Sequence, residues 1–194
     1  MTRTATVTRK TKETDIEISI ELDGTGTTTI ETGVGFFDHL LNALGHHSLI
    51  DLEIRCDGDL EIDDHHSVED TAIVLGQAIG QALGERTGIQ RFGDATVPMD
   101  EAIARCVLDV GGRPYPLIDI PLQQTMIGNL STQNVPHALE AFATNAGFTL
   151  HLTASGSNDH HVAEAAFKAL ARALRAAVSI DDRRMGVAST KGST

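Results

Sequence analysis

The pattern D-H-H-x-x-E occurs twice, in "DDHHSVED" (63–70) and in "NDHHVAEA" (158–165), and the chain around each copy also matches. Setting His39 against His137 places "HLLNALGHHSLIDLEIR" beside "HALEAFATNAGFTLHLT". From those histidines to the doublets is 26 residues in one case (His39 to His65) and 23 in the other (His137 to His160). Self-similarity on this scale predicts a duplicated α+β unit, with residues 1–92 as one repeat and 93–194 as the other. Each predicted sheet has one apolar face to bury, so the repeats are expected to pack into one compact domain.

Period-two alternation in "TDIEISIELDG", "DLEIRCDGDLEID", "AIARCVLDV" and "FTLHLT" predicts half-buried strands, with turns at Asp23-Gly24 and Asp57-Gly58. Helical spacing runs through "GFFDHLLNALGHH", through residues 65–84 with a stop near Gly84 or Gly88, through "PHALEAFATNAG", and through "DHHVAEAAFKALARALRAAV".

A net charge of −12 argues against binding along a nucleic-acid backbone, although a few local cations can still hold a small phosphorylated molecule. No apolar run reaches the roughly 18 residues of a membrane span, and the polar start "MTRTATVTRKTKETD" lacks the apolar centre of a signal peptide. Cys56 and Cys106 lie in apolar-alternating runs and read as buried free thiols of a cytoplasmic protein. A thiolate zinc site is excluded by their spacing.

On a helix, residues four apart share a face, about 40° apart around the axis. His65 and Glu69 therefore point one way, as do His160 and Glu164. His66 and His161, each about 100° from its neighbour, serve a different position. Each doublet can thus supply an imidazole plus a carboxylate to one metal position and a lone imidazole to another. His39 and His137, at matching places, complete the tally of six histidines and two glutamates, enough for two ions with four protein ligands apiece. Nitrogen and carboxylate donors without sulfur suit Mn²⁺, Fe²⁺ or Zn²⁺, with Mn²⁺ favoured where octahedral positions stay open. The competing reading, a solvated helix start rich in aspartate, is weakened because six of nine histidines fall in matched positions. His46, His47 and His151 have no matched partner and read as structural.

Lys168 lies eight residues after His160, about 80° around the wheel. Facing metals it would call for an anion, such as a substrate phosphate; on the surface it would be an ordinary snorkelling lysine. Arg91 in "GIQRFGD", Arg113 in "GGRPY" and Lys191 in "ASTKGST" are further cations at loop-like positions suited to phosphate oxygens.

The ordered series "TKETDI", "LDGTG", "TGVGFFDHLL", "GDLEIDDHHSVEDTAI", "RFGDATVPMDEA", "GGRPY", "DHHVAEAAFKALARAL" and "STKG" resembles the imidazoleglycerol-phosphate dehydratase family over nearly the whole chain. The resemblance implies a hydro-lyase of histidine biosynthesis that converts D-erythro-imidazole-glycerol phosphate to imidazole-acetol phosphate. It implies two Mn²⁺ ions per active site and a duplicated fold like the second domain of ribosomal protein S5, with two sheets and long helices packed between them. It also implies a homo-oligomer of 24 subunits built from trimers, with active sites at subunit interfaces, and no nucleic-acid or membrane partner.

Carried over by residue, the implied metal ligands are His39, His65, His66, Glu69, His137, His160, His161 and Glu164. The implied substrate and phosphate contacts are Glu13, Arg91, Arg113, Lys168, Ser189 and Lys191, with Glu13 as the group that moves protons. The chain departs from the family's usual residues at Gly35, Ala43 and His46. In the implied reaction no carbonyl acidifies the carbon-bound proton, so the imidazole ring is the available electron reservoir. From the residues alone, a di-metal phosphate-ester hydrolase and a metal-linked assembly without activity remain as alternatives.

Overall fold

The structure, a computed structural model, describes residues 2–192. The first half of the chain runs β1 (Thr4–Lys10), β2 (Thr14–Glu21), β3 (Thr28–Glu31), α1 (Gly35–Ser48), β4 (Asp51–Gly58) and α2 (His65–Leu83). The second runs β5 (Phe92–Met99), β6 (Ala102–Asp109), β7 (Tyr115–Asp119), a short ribbon β8 (Met126–Ile127) and β9 (Leu130–Ser131), α3 (Asn134–Ala146), β10 (Thr149–Ser155) and α4 (Asp159–Val178). The two four-stranded sheets have the orders β1-β2-β4-β3 and β5-β6-β10-β7. In each, the last pair is parallel and the others antiparallel. The architecture is the expected α+β one.

The alternating strands bury one face, through Ile16, Ile18 and Ile20 on β2, Leu52 and Ile54 on β4, and Leu150 and Leu152 on β10. Helices α1 and α2 lie against the first sheet and α3 and α4 against the second. The helix layers meet through α1–α4 and α2–α3 contacts, so one continuous core lies between the sheets. Cys56 and Cys106 are buried there as free thiols, and burial pushes Cys106 up to about 12, too high for useful reactivity. Among the described residues, no helix is long and apolar enough to cross a membrane.

Helix α2 ends at Gly84, where φ is +52°, and α3 at Gly147, where φ is +71°, as the glycine signals predict. Four longer strands escape the pattern. β1 and β5 are sheet edges; the inward positions of β1 are only half-buried, and those of β5 begin with Gly93 and Ala95. β3 is too short to show a period, and β7 carries Pro116.

Gly93 is where β5 meets α4, a helix whose inner face is lined by Ala165, Ala166, Ala169 and Ala173. A methyl group at position 93 would lie 2.0 Å from the Ala173 carbonyl oxygen and 2.8 Å from Ala177 N. Because both obstacles are backbone, Gly93→Ala is expected to destabilise the protein by about 1–3 kcal/mol, read as a lower melting temperature. An unchanged melting temperature would mean that α4 moves away from the sheet at no cost.

Candidate active site

The two doublet helices start in the same way. His65 N donates to Asp63 Oδ1 and His160 N to Asn158 Oδ1, which caps the first turn of each. The following aspartates tether the chain between β7 and α3. Asp64 accepts from Ser131 N and Oγ at 2.7 and 2.6 Å, and Asp159 from Gln123 N and Gln124 N at 2.9 and 2.7 Å. The aspartates at the helix starts are thus caps and ties, beyond any favourable dipole.

Two groups of potential ligands result. His39 on α1 joins His160 and Glu164 on α4, and His137 on α3 joins His65 and Glu69 on α2. Within each group one donor atom per residue lies within 4.8 Å of every other. The helix contacts decide the membership, since each group takes its single histidine from one half of the chain and its doublet helix from the other.

In the first group His39 Nε2 and His160 Nε2 lie 3.0 and 3.2 Å from Glu164 Oε2, and Phe36 packs on both rings. In the second, His65 Nε2 is 3.4 Å from Glu69 Oε2, and its ring stacks on His137 at 5.1 Å. Asn134 Oδ1 holds His65 at Nδ1, at 3.2 Å. His137 Nε2 is buried, 3.1 Å from Glu69 Oε1 in a geometry that makes no hydrogen bond. A buried, unpartnered imidazole nitrogen and a carboxylate oxygen set side by side, with only N and O donors around them, fit a shared divalent cation.

The two carboxylates differ. Glu164 is buried, which opposes its charge, yet Lys168 Nζ at 2.7 Å and His39 together hold it down at about 2. The ammonium of Lys168 is thus compensated first by a candidate ligand. Four residues beyond Glu69 stands Ile73, and among the described residues Glu69 pairs only with His65 and His137.

His66 and His161 belong to neither group. The Nδ1 of His66 lies 3.1 Å from both carboxylate oxygens of Asp59, and that of His161 lies 2.9 Å from Glu101 Oε2. These hydrogen bonds raise the pKa of each histidine. Their Nε2 atoms point to exposed carboxylates, Glu13 at 3.9 Å and Asp100 at 4.0 Å. Sequence reasoning did not single out Asp59, Glu101 or Asn134. Asp59 lies in the turn between β4 and α2 and Glu101 in the β5–β6 turn, each outside the helix that carries its histidine, so no helical or strand period links them.

Arg91, Arg113, Ser189 and Lys191 line one pocket of about 570 Å³, with Phe92, Gly111, Ala188 and Thr190. Arg91 has φ +73° and forks onto Asp109 at 2.7 and 2.9 Å, donating also to the Ala188 carbonyl. A Cβ at Gly111 would lie 2.7 Å from that guanidinium, so the first position of "GGRPY" is held to glycine. No residue of the histidine groups lines this pocket, and Lys168 stays beside Glu164. Of the departures, Gly35 opens α1, Ala43 is buried on it and His46 sits in its last turn; none joins a histidine group.

A sequence model of the imidazoleglycerol-phosphate dehydratase family matches residues 32–174. The imidazoleglycerol-phosphate dehydratase of Acidiphilium cryptum is 56% identical over 194 residues, covering 99% of each chain. That of Haloarcula marismortui is 52% identical over 190 residues, covering 98% of this chain and 97% of its own. The crystal structure of the Staphylococcus aureus dehydratase superposes with a TM-score of 0.83 at 36% identity, over 92% of this chain and 99% of that one. The Pyrococcus furiosus enzyme in complex with (S)-C348 also gives 0.83, at 33% identity, over 97% and 100%.

Proposed function

Since the chain belongs to the imidazoleglycerol-phosphate dehydratase family and is therefore a hydro-lyase of histidine biosynthesis, we propose that it works with two Mn²⁺ ions and yields imidazole-acetol phosphate. The observation that carries this reading is the convergence of imidazole and carboxylate donors in two separate groups, with two further imidazoles left facing outward. His39, His160 and Glu164 would hold one ion and His65, Glu69 and His137 the other. His66 and His161 of neighbouring copies would complete the two sets.

When bound, the ions supply Lewis acidity toward the substrate's ring and an oxygen. The remaining work falls to side chains. Glu13, exposed at the β1–β2 turn beside His66, would take the proton from C2 as the C3 hydroxyl leaves, the two departing as water. The resulting enol would lose its O–H proton and gain one at C3 to become the ketone. Arg113, Ser189 and Lys191 would grip the phosphate. Arg91 spends three N–H groups on Asp109 and Ala188 and keeps two for an anion. Lys168, with three hydrogens, can serve a substrate oxygen while it pairs with Glu164. Fixing the phosphate far from the reacting carbons uses binding energy for orientation.

The same proposal includes a cytoplasmic assembly of 24 subunits built from trimers. Supporting it, the outer face of the second sheet exposes Ile103, Val107, Tyr115 and Leu117. The outer face of the first carries Thr6, Glu17, Ser19, Glu53 and Arg55 instead.

Stripping with EDTA is expected to abolish dehydration of imidazole-glycerol phosphate, and Mn²⁺ to restore it, followed by detection of the ketone product. Undiminished turnover in stripped enzyme would overturn the metal reading. Release of inorganic phosphate in place of the ketone would point to a hydrolase.

A further inference from the structure

We infer that Asp59 and Glu101 are positioning residues, each fixing one outward histidine so that its Nε2 lone pair is presented to a metal ion. This rests on the metal reading above, and it concerns how the chain prepares the two proposed ligands that stand outside both groups.

The four histidines inside the two groups are steadied by their surroundings. His39 and His160 are wedged against Phe36 and Glu164, while His65 and His137 stack on each other beside Glu69. His66 and His161 meet the rings of His65 and His160 edge-on, at 5.8 and 6.1 Å, but among the described residues neither joins a group of potential ligands. These are the two histidines whose Nδ1 meets a carboxylate. A carboxylate only accepts, and a neutral imidazole has one N–H. Pairing at Nδ1 therefore puts the hydrogen there and leaves Nε2 free to coordinate.

The two devices are built differently. Among the described residues, the Asp59 carboxylate hydrogen-bonds only to His66. Its backbone N donates to the Glu13 carbonyl at 3.1 Å and its carbonyl accepts from Ile62 N at 2.8 Å, which fixes the loop before α2. Glu101 divides its oxygens. Oε2 takes His161, and Oε1 accepts from Ser157 N and Asn158 N at 3.2 and 2.8 Å, tying the β5–β6 turn to the start of α4. An amide replacing Asp59 can still offer the ring an oxygen. An amide replacing Glu101 has one oxygen for two tasks.

The test is Mn²⁺ titration of EDTA-stripped protein, with free Mn²⁺ followed by electron paramagnetic resonance and the metal-free melting temperature measured beside it. Asp59→Ala and Glu101→Ala are expected to weaken Mn²⁺ binding about 10–100-fold. Asp59→Asn should recover most of that loss, and Glu101→Gln should not. Should Glu101→Ala fail to fold, Glu101→Gln carries that arm. Wild-type affinity in the alanine variants would overturn the inference. So would a loss that only tracks a lower metal-free melting temperature, or an Asp59→Asn variant no better than Asp59→Ala. If wild-type protein takes up no Mn²⁺, the metal reading itself fails and this inference falls with it.

Discussion

Replacing His65 with alanine is expected to remove bound metal and dehydratase activity together. The ring contributes Nε2, 3.4 Å from Glu69, and a face stacked on His137, with Asn134 holding its other nitrogen. Without it only Glu69 and His137 remain in that group, and even with a histidine from a neighbouring copy the ion would lose one of its four protein ligands. The loss in Mn²⁺ affinity should exceed the roughly 10–100-fold typical of removing a group that only hydrogen-bonds to a ligand. His65 is half-exposed at the first turn of α2, outside the apolar core, so the fold should survive. Elemental analysis of the purified variant beside a turnover assay checks both halves of the prediction. Full Mn²⁺ occupancy would refute the assignment of His65 as a ligand.

The second large effect is expected at Glu13. Glutamine keeps the shape of the side chain but cannot take up a proton at catalytic cost, so Glu13→Gln should lower kcat by about 10²–10⁴-fold while metal content is retained. The side chain stands more than half-exposed, 3.9 Å from His66 Nε2, on a turn anchored by Thr11 Oγ1 to Glu13 N and by Asp59 N to the Glu13 carbonyl. The backbone therefore does not depend on the carboxylate. A variant with near-normal turnover and both metals in place would sink the proton-transfer role.

Much of this geometry can be read from local pattern. The i, i+4 pairs His65–Glu69 and His160–Glu164 follow from helix pitch, as does the divergence of His66 and His161. Strands β2, β4, β6 and β10 announce themselves by alternation, because each is central in its sheet and buries one face. The edge strands do not, since an edge can be polar or small on its inner side and still pair. Tertiary facts are less accessible. That His39 joins Glu164 at a separation of 125 residues depends on α1 packing against α4, and nothing within either segment encodes the choice. The same holds for Arg91 and Asp109, brought together where β5 pairs with β6, and for Glu101 and His161, where the β5–β6 turn meets the first turn of α4. Lys168 illustrates a different limit. The helical wheel places it near the candidate ligands, but that its first partner is one of them, Glu164, follows only from the folded side-chain packing.

Each histidine group joins a helix from the first half of the chain to a helix from the second. An ion held there would act as a clasp as well as a reagent, because α1 could not part from α4, nor α2 from α3, without giving it up. At a free ion concentration 100 times its dissociation constant, one such clasp adds about 2.7 kcal/mol to the cost of pulling the halves apart. The supply of metal would thus govern how long the catalyst lasts as well as how fast it turns over.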